Sequence, residues 1–74
     1  MPQEKVEVPI SGKIVSVECK VGSTVKEGDI LCTIESMKME NPIMAPVGGT
    51  IKEVGVVAGK NVTDGELIAV IVYE

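Results

Sequence analysis

An all-β fold built from two matched halves is predicted by three features of this chain. They are a surplus of β-branched residues, glycines at regular intervals, and an internal repeat. Thirteen Val and eight Ile stand against two Leu. Branching at Cβ restricts rotamers on a helical backbone and suits a pleated, half-buried surface. No window of helical apolar period longer than a turn survives. Sliding the chain by 37 positions pairs Pro9 with Pro46, Gly12 with Gly49, Ile14 with Ile51 and Val17 with Val54. The same register pairs Gly22 with Gly59, Val25 with Val62, Gly28 with Gly65 and Ile34 with Ile71, giving eight identities in 26 positions. A solenoid needs about three or more repeats to bury a continuous core, so two copies point to one pseudo-twofold domain spanning residues 1–74. In such a domain the segment joining the copies, residues 36–42, lies at one pole and the chain ends at the other.

The strands fall between the glycines. The first half is expected to hold strands at 5–10, 13–20 and 30–37, and the second at 39–45, 50–57 and 66–73. Short extended pieces at 24–26 and 61–63 complete two matched sets of four. Two connections read Gly-x-x-Val-x-x-Gly, Gly22 to Gly28 and Gly59 to Gly65, where glycine supplies positive φ and the central valine anchors the turn in the core. Neither opens a helix nor continues into Gly-Lys-Ser/Thr, which argues against a phosphate-binding loop. Pro42 lacks a backbone donor and so suggests an edge strand. The expected architecture is a flattened antiparallel sandwich or barrel.

Composition excludes several function classes. With no His and only Cys19 and Cys32, no ordinary four-ligand zinc site can be assembled, and the cysteines read as buried free thiols. Seven Lys against eleven acids give a net charge of −4. With Tyr73 the one aromatic residue, there is no stacking platform for bases, and nucleic acid is a poor partner. The run Leu67 to Tyr73 is far short of the ~20 residues that span a bilayer, and Met-Pro-Gln-Glu-Lys lacks a secretory pattern. A cytoplasmic soluble domain without membrane insertion is expected. Without His, no nucleophilic triad is recognisable, and pairs such as Glu35 with Glu40 read as solvated charges. No residue is assigned a catalytic role.

Lys38 has an unusual setting within Glu35-Ser36-Met37-Lys38-Met39-Glu40-Asn41, where large apolar side chains occupy a predicted exposed turn. Strand alternation would put Met37 and Met39 on one face and Lys38 on the other. Two readings remain open from the residues alone: a solvated lysine beside two core methionines, or an amine presented at a symmetric hairpin.

The segment Glu35 to Asn41 resembles the attachment motif of the biotin carboxyl carrier (biotin/lipoyl attachment) family. The similarity extends through Pro9-Ile10-Ser11-Gly12, both Gly-to-Gly turns and Ala45-Pro46-Val47-Gly48-Gly49. The resemblance implies a barrel-sandwich hybrid of two four-stranded sheets. It implies biotin joined covalently to Lys38 by a biotin protein ligase, with Met37 and Met39 as flanks and Glu35 and Ser36 completing the motif. It further implies a non-catalytic carrier that shuttles carboxybiotin between biotin carboxylase and carboxyltransferase or decarboxylase sites. Ser36 stands where Ala is usual, Ile10 where Met or Leu is frequent, and Pro42 where many relatives carry a polar residue. The extra thumb loop of some acetyl-CoA carboxylase carriers has no counterpart, which leans towards acyl-CoA or oxo-acid carboxylases, decarboxylases and transcarboxylases. The alternatives are a lipoyl or dual biotin/lipoyl domain, whose hairpin usually carries Asp before the lysine, and an unmodified adaptor of the same fold.

Overall fold

The computed structural model describes residues 2–73. Eight strands run in chain order: β1 (Gln3–Glu7), β2 (Gly12–Val17), β3 (Thr24–Val25), β4 (Ile30–Ser36), β5 (Met39–Met44), β6 (Gly49–Val54), β7 (Asn61–Val62) and β8 (Leu67–Val72). They form two four-stranded antiparallel sheets, ordered β1-β8-β6-β3 and β5-β4-β2-β7. No helix of the described residues is long and apolar enough to cross a membrane.

The internal repeat is written into the hydrogen bonds. A shift of 37 carries β4 onto β8, β2 onto β6 and β3 onto β7, so that with β1 standing for β5 the two sheets have the same order. The bond from Ala45 N–H to Asp29 O (2.7 Å) recurs as Val8 N–H to Glu66 O (2.8 Å). The bond from Gly22 N–H to Ile51 O (2.8 Å) recurs as Gly59 N–H to Ile14 O (2.7 Å). Even the irregularities match, since the register shifts between Ile14 and Ser16 and again between Ile51 and Glu53. Such bulges sharpen the local twist and help the sheets close over the core.

Alternation of side chains sends one face of each sheet inward. Ile14, Leu31, Ile34, Ile51, Ile68 and Ile71 are fully buried between the sheets, and Val25 and Val62 plug the two Gly-to-Gly turns as expected. At both turns the glycines take positive φ, 92° at Gly22 and Gly28 and 91° and 96° at Gly59 and Gly65. Gly12 serves a different need: a Cβ there would meet Glu35 O and sit 2.8 Å from Ile34 Cγ2. Only a residue without a side chain lets β2 approach β4 this closely.

Three strands differ from expectation by two residues or more at an end, and the other five by at most one. β1 covers 3–7 rather than 5–10, because Pro9 cannot donate to a ladder and the chain leaves the sheet after Val8. The long strands expected at 13–20 and 50–57 end at Val17 and Val54, past which Cys19 and Val56 still point into the core. Pro42 lies on β5, an edge strand, as its missing N–H requires.

Cys19 and Cys32 are buried free thiols. Burial, and secondarily the neighbouring Cys19, push the Cys32 thiol up to about 11, and burial also raises Cys19. The folded state therefore holds thiol protons that the unfolded chain has released in alkali, so stability is present below the ordinary thiol range and falls as pH rises towards 11. Urea midpoints measured from pH 8 to 11 are expected to fall less in a Cys19→Ala/Cys32→Ala variant. An identical pH slope in both proteins would show that the thiols do not contribute.

Candidate functional site

The strongest candidate is the turn that joins β4 to β5. Pairing across the two strands runs from Ile30–Met44 to Glu35–Glu40 and closes on Ser36–Met39, leaving Met37 and Lys38 as the two turn residues. Both lie in the left-handed region, Met37 at φ 55° and Lys38 at φ 66°. Two-residue hairpins favour this geometry because it matches strand twist, and they normally recruit Asn-Gly or Asp-Gly for it. Met and Lys at such angles cost roughly 1–2 kcal/mol each relative to ordinary backbone. The sequence at the apex is therefore not chosen for turn stability.

The structure decides between the two sequence readings of the methionines. Met37 is 92% and Met39 67% exposed, so neither belongs to the core. Met37 was expected at the end of a strand, yet its left-handed backbone rotates it into the turn instead. Lys38 is exposed between them and makes no ion pair among the described residues. Because Met37 buries so little, Met37→Asn is expected to leave stability unchanged or raise it by up to about 1 kcal/mol, since Asn tolerates positive φ. Urea denaturation checks this, and a clear loss of stability would reveal packing by the Met37 side chain.

The base of the hairpin is fixed more firmly than its apex. Asn41 Nδ2 donates to Met39 O (3.2 Å) and to Ile34 O (3.4 Å), lacing β5 to β4 below the turn. Asn41 belongs to the motif quoted from the sequence, but its bracing role could not be seen without the register. Ser36 is half-buried at the last rung. Glu35 and Glu40 are direct neighbours, an arrangement that mildly opposes pairing. With Lys13 on β2, opposite Glu35, they line a shallow groove of about 290 Å³. The result is one primary amine at the tip of a braced hairpin, with acidic charge at its base. After losing a proton, such an amine can be acylated, and its four-carbon stem then serves as the root of a mobile arm.

Fold and site together define a class, that of small two-sheet β domains with an exposed lysine at the tip of a hairpin. Residues 4–71 match a family profile described as "Biotin-requiring enzyme". A biotinylated protein TB7.3 homolog of Mycobacterium leprae is 40% identical over 68 residues, covering 92% of this chain and 96% of that one. The alpha chain of human mitochondrial propionyl-CoA carboxylase is 43% identical over 60 residues, 81% of this chain but 8% of the larger one. Among solved structures, the Kluyveromyces lactis urea carboxylase superposes with a TM-score of 0.87 at 30% identity, over 97% of this chain and 6% of that one. The chain belongs to the biotin–lipoyl family, and biotin is the cofactor that the profile and the biotin-named relatives support. It spans under a tenth of the carboxylase alpha chain and nearly the whole of the small mycobacterial protein.

Proposed function

We propose that residues 1–74 form one biotinyl domain and that Lys38 carries biotin through an amide to Nζ. The carrying observation is the apex itself: an exposed amine, without an ion pair among the described residues, between two exposed methionines on a braced hairpin. The residues fit the group, because acylation at Lys38 displaces no described contact and leaves the core untouched. When attached, biotin supplies a ureido nitrogen that takes up and releases CO2. The chain's own contribution is positional. Asn41 and the β4–β5 ladder hold the root of the arm, and Met37 and Met39 offer exposed apolar contacts to an enzyme that recognises the turn.

In this reading the domain is the substrate of a biotin protein ligase and then of biotin carboxylase and carboxyltransferase or decarboxylase partners, and it is not itself catalytic. The carboxylase-named relatives support that assignment. Tethering makes each encounter intramolecular, with an effective concentration on the order of mM. The free thiols of Cys19 and Cys32 suit a reducing, cytoplasmic setting.

The test is the intact mass of the protein after incubation with ATP, a biotin protein ligase and biotin, beside a parallel lipoate reaction with a lipoate ligase. One biotin per chain is the expected product. A lipoyl adduct alone would transfer the reading to a lipoyl domain, and no adduct in either reaction would leave an unmodified adaptor.

A further inference from the structure

The two halves differ at one place where their backbones agree. In the second half Lys60 lies along the surface, with Nζ 3.2 Å from Glu66 Oε1 and donating to Gly55 O at 3.4 Å. The bond from Thr63 N–H, followed by that from Lys60, holds the Glu66 carboxyl below its usual range. A shift of 37 positions places Ser23 where Lys60 would be, Asp29 where Glu66 would be, and Glu18 at the position of Gly55. The carboxylates are set in the same way: Asp29 Oδ2 accepts from Lys26 N–H (2.8 Å), as the Glu66 carboxylate accepts from Thr63 N–H. Ser23 has no ammonium to offer.

What remains in the first half is an open groove of about 480 Å³, lined by Glu18, Ser23, Thr24, Asp29, Ile30 and Thr33 among others. Ile30 is 47% exposed there, whereas its counterpart Leu67 is half-buried. Neither Glu18 nor Asp29 makes an ion pair among the described residues, although Lys20 and Lys26 are close in sequence. The groove is thus a lysine slot whose own lysine is missing, with an apolar wall for an aliphatic stem and carboxylates for its head.

We infer that this groove receives a lysine side chain from a partner protein, in the manner in which the second half receives Lys60. A lysine suits it better than an arginine, because one Asp29 oxygen already accepts the Lys26 N–H and a bidentate fork would compete for it. A calcium site draws on several clustered carboxylates, and among the described residues no three acidic, Cys or His side chains come together to hold a metal ion. Asp29 immediately precedes β4, which Ile30 starts and the turn ends, so the slot lies on the order of 20 Å from Lys38. A partner can therefore grip the domain here and leave the hairpin free. The inference does not depend on which cofactor Lys38 carries.

The experiment is an amide NMR titration of the 15N-labelled chain with the peptide acetyl-Gly-Lys-Gly-amide, and separately with acetyl-Gly-norleucine-Gly-amide, which keeps the stem and removes the charge. Saturable shifts at Ser23, Thr24, Asp29 and Ile30 are expected with the lysine peptide alone. Ser23→Lys, which supplies the ammonium internally, should abolish them. Glu18→Gln, an exposed change that leaves the backbone bond of Glu18 in place, should weaken them about threefold to fivefold, as for a surface ion pair. Equal shifts with both peptides, no saturable shift at these amides, or an undiminished response in the folded variants would each overturn the inference.

Discussion

Lys38→Arg is expected to abolish biotin addition completely while leaving the unfolding free energy within about 0.5 kcal/mol of wild type, as for surface changes away from packed features. Arginine keeps the positive charge that an encounter with a ligase would sense. It offers no amine that can be deprotonated and acylated, so the loss isolates chemistry from electrostatics. The other six lysines act as internal controls, and Lys13 is the most instructive because it sits opposite Glu35 in the sheet. Intact mass and peptide mapping read the result. An adduct of equal yield on the variant would sink the assignment of Lys38, and an adduct on Lys13 would relocate it.

The second large effect belongs to Ile34, which is fully buried on β4 two residues before Ser36. Ile34→Ala removes methyl groups from a close-packed site and is expected to cost about 2–5 kcal/mol. A chain of this length has roughly 4–11 kcal/mol of total stability, so the variant should unfold at far lower urea. Its repeat mate offers a sharp comparison. Ile71→Ala should cost a similar amount, yet only the Ile34 change loosens the support under the hairpin, where Asn41 bonds the Ile34 carbonyl. Hydrogen exchange at the Met39 and Asn41 amides should therefore quicken more in Ile34→Ala than in Ile71→Ala, under conditions where both are folded. Equal exchange would mean that the hairpin is supported from elsewhere.

Much of this fold was legible because the repeat is strong. Val25 and Val62, with glycines three residues to either side, announced two turns that the structure reproduces in φ and burial. Pro42 announced an edge. What could not be read was geometry that no residue type demands. The left-handed turn at Met37 and Lys38 was hidden because neither residue favours positive φ, so the pattern ran on as strand. The bulges at Ile14/Ser16 and Ile51/Glu53 left only a faint trace, a step of three rather than two between inward residues, from Ile14 to Val17 and from Ile51 to Val54. Lys38 was found by its motif, whereas the brace from Asn41 and the open groove beside Asp29 needed the register. The groove in particular became visible only when Ser23 was set against Lys60, a difference that a search for shared residues passes over.

The exposure of Met37, Lys38 and Met39 has an evolutionary corollary. Folding information resides in the paired isoleucines and the turn glycines, and the three apex residues contribute almost nothing to it. Selection can therefore rewrite the apex with little effect on whether the domain folds. A scaffold of this kind can accept new residues at its apex one at a time without passing through an unfolded ancestor.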